Sequence, residues 1–250
     1  MHVRRRVHLD AAGYAVIVDL VEGPESHIVT ASWPLGREWS PVAPIAPETD
    51  VVDIHTDDHA RATLTTRALS LGGGTLSDRL RWESVCGQRD PVDGWLSPRY
   101  NAVQPGWVVR ASVRAALPVC LVTLIAVPAY DVEPAELMRA EVMGPRSVRL
   151  VVRRSDGGND EWWMALGPEP EQWSLSLPYP YESLPLRGAG VSVRCRHGSG
   201  EEPHISARGH GDFMARARVV RRGESWSWRW ATAGVEERLQ PVFRGGRRDG

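Results

Sequence analysis

Apolar and polar residues alternate along most of this chain, and the period of two outlines one strand after another. Val3, Arg5, Val7 and Leu9 fall on one side of a first strand, with Arg4, Arg6 and His8 on the other. Asp10-Ala-Ala-Gly13 turns the chain into Tyr14 to Val21, and Glu22-Gly-Pro-Glu25 turns it again into His27 to Leu35. The pattern predicts a three-stranded meander. Prolines 41, 44 and 47 mark Gly36 to Pro47 as an exposed extended loop. Asp50 to His55 and Ala62 to Leu71 predict a pair joined through Thr56-Asp57-Asp58-His59, and Gly72-Gly73-Gly74 is a turn before a strand over Leu80 to Val85.

The strongest pattern lies between Gly94 and Pro128. Trp107, Val109, Ala111 and Val113 alternate with Val108, Arg110, Ser112 and Arg114, which predicts a strand with one apolar and one partly wet face. Val119 to Val127 is apolar on both faces, as expected of a strand buried in the middle of a sandwich. Pro118 cannot donate to a ladder, so Leu117-Pro118 is a turn, and the two strands are expected to form a hairpin-like unit.

Downstream, Ser147 to Arg153 and Glu161 to Ala165 bracket Asp156-Gly-Gly-Asn159, a hairpin signal. Prolines 168, 170, 178, 180 and 185 predict a Pro-rich connection. Val191 to Arg196, His204 to Arg208, Phe213 to Val220 and Ser225 to Trp230 are further strands. No long segment has a helical period. The expected class is all-β, an antiparallel β-sandwich of two packed sheets. Residues 1–166 form its main body, residues 167–243 supply further strands or a small second lobe, and residues 244–250 are a disordered tail.

Composition narrows this reading. With 250 residues the chain can bury a sizeable core, and 42% hydrophobic with 24% charged residues is a globular composition. A formal net charge of −1 gives no long-range attraction for nucleic acid, and no apolar run approaches a membrane span. The N-terminus lacks the form of a secretory signal, which leaves localisation unassigned. Three scattered cysteines make no disulfide framework, and Cys120, inside the most apolar strand, reads as an inert core thiol.

Candidate chemistry is sparse. His55, Asp57 and His59 have ligand types at a spacing that suits a divalent metal, but their flanks are strands, which predicts a polar turn and no cofactor. Cys195, His197, His204 and His210 form a similar cluster on a Gly-rich segment. Trp95, Arg99 and Tyr100 are the residues suited to a glycan: aromatic rings stack on sugar faces, and Arg pairs with a uronate or sulfate. The competing role, which loop aromatics in sandwiches commonly take, is to anchor a sheet corner through the Tyr hydroxyl. In Trp162-Trp163 one ring points inward and one outward, so one is expected at the surface. Trp226, Trp228 and Trp230 share a face that is either a core stripe or a binding platform.

Trp95-x-Ser97-Pro98-Arg99-Tyr100, then Pro118-Val119-x-Leu121-Val122-Thr123 and a closing Pro128, resembles the C-terminal β-domain of the heparinase II/III family of polysaccharide lyases. Arg5-Arg6-Val7, Tyr14 to Asp19, Glu22-Gly23 and His27 follow the order that family shows just upstream. The resemblance covers the first half of the chain, and Asn101 stands where the family has Gly. It implies a β-sandwich that supports a helical toroid encoded upstream and lines a cleft for an acidic polysaccharide. In that family the catalytic base and the metal-site residues come mainly from segments this chain does not match, so no catalytic residue is carried over. Such a chain alone is expected to be inactive. Two other readings remain: an independent carbohydrate-binding or structural β-module, and a metal-dependent β-fold enzyme using His55 to His59.

Overall fold

A computed structural model describes residues 1–42, 45, 50–72, 76, 80–100, 102–129, 131–169, 171–176, 183–188, 190–197, 204–218, 225–233 and 237–239. The chain is all-β, its antiparallel sheets packed as a β-sandwich, and it divides into two compact units, Met1–Ala140 and Glu141–Gly250. The first unit holds β1 (His2–Asp10), β2 (Tyr14–Glu22), β3 (Ser26–Pro34), β4 (Trp39–Pro41), β5 (Val51–Thr56), β6 (Arg61–Ser70) and β7 (Arg81–Cys86). It continues through β8 (Gln88–Arg89), β9 (Val92–Asp93), β10 (Trp95–Arg99), β11 (Ala102–Pro105), β12 (Trp107–Ala116) and β13 (Val119–Ala126). β14 (Glu136–Gly144) leads into the second unit, which holds β15 (Ser147–Arg153), β16 (Asn159–Ala165), β17 (Glu171–Ser176) and β18 (Ser183–Gly188). β19 (Val191–His197), β20 (His204–Arg218), β21 (Ser225–Ala233) and β22 (Glu237–Leu239) complete it.

In the first unit the larger sheet runs β1-β2-β13-β6-β5-β4 and the smaller runs β3-β12-β7. β13 sits between β2 and β6, and seven of its eight positions are buried. Ile17, Val21, Leu64, Ala68 and Leu121 of the larger sheet pack against Val29, Trp33, Trp82, Val109 and Val113 of the smaller one. Each Val, Leu or Ile side chain among them taken from water contributes about 1.5–3 kcal/mol. The opposite face of the larger sheet, with Val16, Val18, Leu20, Cys120, Val122 and Leu124, is buried as well.

This arrangement corrects two expectations. β3 leaves the meander and pairs with β12 in the smaller sheet, and β12 and β13 are in different sheets instead of one hairpin. The reason is the number of wet faces. β3 exposes Ile28, Thr30 and Ser32, and β12 exposes or half-exposes Arg110, Ser112 and Arg114, so each suits a sheet with a solvated side. β2, β13 and β6 have no such side. Leu117-Pro118 is a turn as expected, and it carries the chain from one sheet to the other. Pro41, expected in a loop, ends the edge strand β4, where a missing N–H disturbs no inner ladder. Prolines 44 and 47, like Gly73 and Gly74, lie outside the described residues.

In the second unit the strand order is β14-β15-β16-β19-β20-β18-β17, with β21 and β22 also on β20. β15 and β16 form the expected hairpin, but β16 then pairs with β19, so the break between units falls ahead of this hairpin and not at residue 166. Part of the Pro-rich connection is the pair β17–β18, which contains Pro185. His204 to Arg208 and Phe213 onward are one long strand, β20. Its first half pairs with β19 and β22, its second half with β18 and β21. Residues 244–250 lie outside the described residues. Trp162 and Trp163 are both buried, contrary to the alternation argument, because each ring lies under an arginine: Arg194 at 5.0 Å from the Trp162 centroid and Arg149 at 5.4 Å from that of Trp163.

Two carboxylates are buried with arginine partners. Asp160 accepts from Arg154 at 2.8 Å and from Arg196 at 2.9 and 2.7 Å. Asp19, which interrupts the apolar run of β2, faces inward and accepts from Arg5 at 2.6 and 2.8 Å, and that guanidinium lies 5.2 Å from the Trp33 centroid. The bond to Asp19 raises the pKa of Arg5 against the opposing effect of burial. The Arg5 side chain is 48% exposed and that of Asp19 only 6%, so the two ends of the bridge differ. Arg5→Ala strands a buried carboxylate and should cost about 3 kcal/mol. Asp19→Asn leaves a guanidinium that can turn to water, and should cost about 1 kcal/mol. Urea unfolding of the two variants measures the difference, and equal losses would show that the pair is solvated at both ends.

Candidate functional site

β7 ends at Cys86 directly opposite Trp107, where β12 begins. Between these neighbours, residues 87–100 and 102–106 form an extension of two short hairpins, β8–β9 and β10–β11. Gly94 is its hub. Its carbonyl accepts from the N–H groups of Gly87 at 2.7 Å and Gly106 at 2.9 Å. Its φ is +66°, and a Cβ there would come within 2.8–2.9 Å of the backbone of Val85 and Cys86, so only glycine fits. Asp93 accepts from the Gly94 N–H at 2.7 Å and bonds through its other oxygen to Arg110 of β12. The Arg110 guanidinium holds the Asp93 carboxyl below the usual carboxylate range.

The three glycan candidates have different fates in this extension. The Trp95 indole N–H donates to the Gln88 carbonyl at 2.7 Å and fastens β10 to β8. Arg99 and Tyr100, at the end of β10, are exposed, Tyr100 to 92%, so its ring is presented to solvent and anchors no corner. Among the described residues Arg99 has no carboxylate partner. The local sequence explains the presentation: Pro98 cannot donate, the register of β10–β11 shifts between Leu96 and Arg99, and the tip stays unpaired on one side.

Register adds cations that no linear motif showed. Arg81 of β7 lies opposite Ser112 of β12, and Arg114 follows two residues on along the same wet face. Neither has a carboxylate partner among the described residues, whereas Arg110 is bonded to both Glu83 and Asp93. Ser112 shares a hydroxyl hydrogen bond of 2.9 Å with Thr30 of β3. The outer face of the smaller sheet is therefore a hydroxyl-bearing surface with two guanidinium groups that lack carboxylate partners among the described residues. The alternation of Arg110, Ser112 and Arg114 was visible in sequence; the position of Arg81 needed the strand pairing.

The His55 to His59 tract is the turn between β5 and β6. Thr56 closes it, accepting at its hydroxyl from the Ala60 N–H at 3.1 Å and donating to Asp58, whose carboxyl is held below its usual range by that bond. His55 lies on β5, opposite Ser40 and Arg61, while His59 adopts φ 70°. Among the described residues no three His, Cys, Asp or Glu side chains come close enough to hold a metal ion. The turn does wall a cavity of about 440 Å³, formed by Asp58, His59, Ala60 and Arg61 with Pro128, Ala129, Asp131, Val132 and Glu133. Asp58, Asp131 and Glu133 outnumber Arg61, so the cavity suits a neutral or cationic polar molecule and repels a polyanion. Cys195 is buried in β19, its thiol pushed up to about 12 by burial, and Cys120 is pushed higher still. Such thiols are neither ligands nor nucleophiles at neutral pH. The side chains of His197, His204, His210, Trp226, Trp228 and Trp230 lie outside the described residues.

Compared with known proteins, the chain matches no family model, no curated protein and no solved structure. The fold defines an all-β sandwich protein, and none of these comparisons links the chain to the heparinase II/III family.

The Asp93–Arg110 bond makes the extension sensitive to acid. A carboxyl depressed in the folded chain contributes stability above its ordinary value of 3.8 and loses it as pH falls through the lower folded value. Exchange of the Trp95 indole N–H, measured by NMR relative to the unfolded chain, should quicken below that value. In Asp93→Asn it should be quick already at neutral pH, with no acid step. Unchanged protection in the variant would show that Gly94 alone holds the extension.

Proposed function

We propose that this chain is the non-catalytic β-sandwich portion of a heparinase II/III-like polysaccharide lyase. It supports a helical catalytic domain and lines part of the cleft for an acidic glycan. The observation that carries this reading is the pairing of Arg99 and Tyr100 at the tip of the extension. A solvent-facing ring offers a sugar a stacking surface, and the adjacent guanidinium offers a uronate or sulfate a bidentate partner. Arg81 and Arg114, with the Thr30–Ser112 hydroxyls, supply a polar and cationic surface on the sheet from which the extension springs.

β-Elimination needs a base for the proton alpha to the uronate carboxylate together with a group that neutralises that carboxylate. In this reading both come from the helical domain. A second reading is favoured by the acidic cavity at Asp131: an independent module that takes a neutral or cationic polar ligand there.

Titration of the purified chain with heparan sulfate, alginate and a neutral glucan separates the two. The acidic glycans should bind, more weakly with added salt, and Arg99→Ala or Tyr100→Ala should each lower affinity about tenfold with unchanged melting. No growth in absorbance from an unsaturated product should follow. Preference for the neutral glucan, or full affinity in the double variant, would move the function to the cavity. Steady turnover would place catalytic groups within this chain.

A further inference from the structure

Arg81 and Arg114 are diagonal neighbours on the outer face of the smaller sheet. Arg81 lies opposite Ser112, and Arg114 stands two residues further along β12. At such positions long side chains reach one another across the pair of strands. Neither guanidinium has a carboxylate partner among the described residues. Beside them Thr30 and Ser112 share one hydrogen bond, which leaves one hydroxyl proton of the pair to donate outward. The root of the extension is fastened to this same face. Asp93 bonds Arg110, which stands two residues before Ser112, and Glu83 bonds it from β7. Arg110 is thus occupied, and the next cation without a carboxylate partner along the extension is Arg99 at the tip.

The strands set the distance between these two contacts. Arg114 lies seven residues along β12 from Trp107, and Ala102, the partner of Arg99, lies five residues the other way. At about 3.4 Å per residue these runs are ~24 Å and ~17 Å long. Only Gly106 separates β11 from β12, and a reversal needs two residues between strands, so β11 does not double back over the sheet. The tip and the Arg81–Arg114 pair are therefore roughly 20–40 Å apart. A small anion reaches one of them, and a polymer reaches both.

The surface between the contacts distinguishes one polyanion from another. It offers the hydroxyls of Thr30, Ser32 and Ser112, and the carboxylate of Glu83, whose side chain is 62% exposed. A nucleic acid carries a phosphate on every nucleotide and would set some of them against Glu83. An acidic polysaccharide has hydroxyls between its charges, and these suit a surface of serine and threonine.

Resting on the reading of the tip as a glycan contact, we propose that the Arg81–Arg114 pair is a second contact for the same acidic polysaccharide. One chain bridges the tip and the sheet. Once the tip holds it, the pair meets it at a raised effective concentration, so affinity steps up at the length that spans both.

The probes are end-labelled fragments of alginate and of heparan sulfate, graded in length and titrated against the full chain by fluorescence anisotropy. Short fragments should bind through the tip alone, and fragments that span both contacts at least about tenfold tighter. Arg81→Ala/Arg114→Ala, with parental melting, should remove that step and leave the short fragments unchanged. Arg99→Ala should weaken every length. The gradual rise that any longer chain shows, having more registers in which to bind, should persist in the double variant. Absence of a step, or a step that survives in the double variant, overturns the proposal while leaving the tip as a glycan contact. Equal or tighter binding of a single-stranded oligonucleotide of matched charge would give the face to nucleic acid and overturn it too. No binding of any fragment by the parent overturns the glycan reading itself, and this proposal with it.

Discussion

A strand without a polar side has to be covered twice, and β13 is such a strand. Its one hydroxyl, Thr123, is satisfied internally by Thr66 at 2.9 Å. It is paired along both edges by β2 and β6, which are themselves mostly buried on both faces. That demand sorts the other strands. Those with one wet face, β3 and β12, form the smaller sheet with β7, and the turn at Leu117-Pro118 becomes a passage between sheets. The extension bearing Trp95 to Tyr100 then follows, because it fills the connection between β7 and β12 at the end of that smaller sheet.

Charge is placed inside both units under the same rule. Asp19 and Asp160 are each held by arginine with more than one hydrogen bond, and three arginines lie over tryptophan rings. A guanidinium is planar and weakly hydrated, so it can stack and pair at once, which an ammonium does less well. All 30 basic side chains of this protein are arginine, and the buried pairs show one use for that composition. These bridges set geometry more than net stability, since desolvation offsets most of the attraction.

The surface divides into regions of opposite sign. The outer face of the smaller sheet and the extension present Arg81, Arg99 and Arg114, while the cavity beside the β5–β6 turn presents Asp58, Asp131 and Glu133. A net charge of −1 conceals this separation. The cationic face and the acidic cavity are therefore different electrostatic environments on the same unit.

The sequence by itself determined the class, most strands and most turns. Period two, the Asp156-Gly-Gly-Asn159 signal and the doubly apolar Val119 to Val127 are local properties, and they survive in the fold. It also singled out Trp95, Arg99 and Tyr100 as candidates, though alternation could not say that Trp95 is fastened and Tyr100 presented. Tertiary structure decided which sheet each strand joins, that Trp162 and Trp163 are both buried, and that Arg81 stands beside Ser112 and Arg114. It brought Asp131 and Glu133 to the His59 turn across more than half of the first unit. The physical reason is that periodicity tells a strand how many apolar faces it has. Which neighbour covers each face depends on contacts between residues far apart in the chain, and those are settled only when all the faces are closed together.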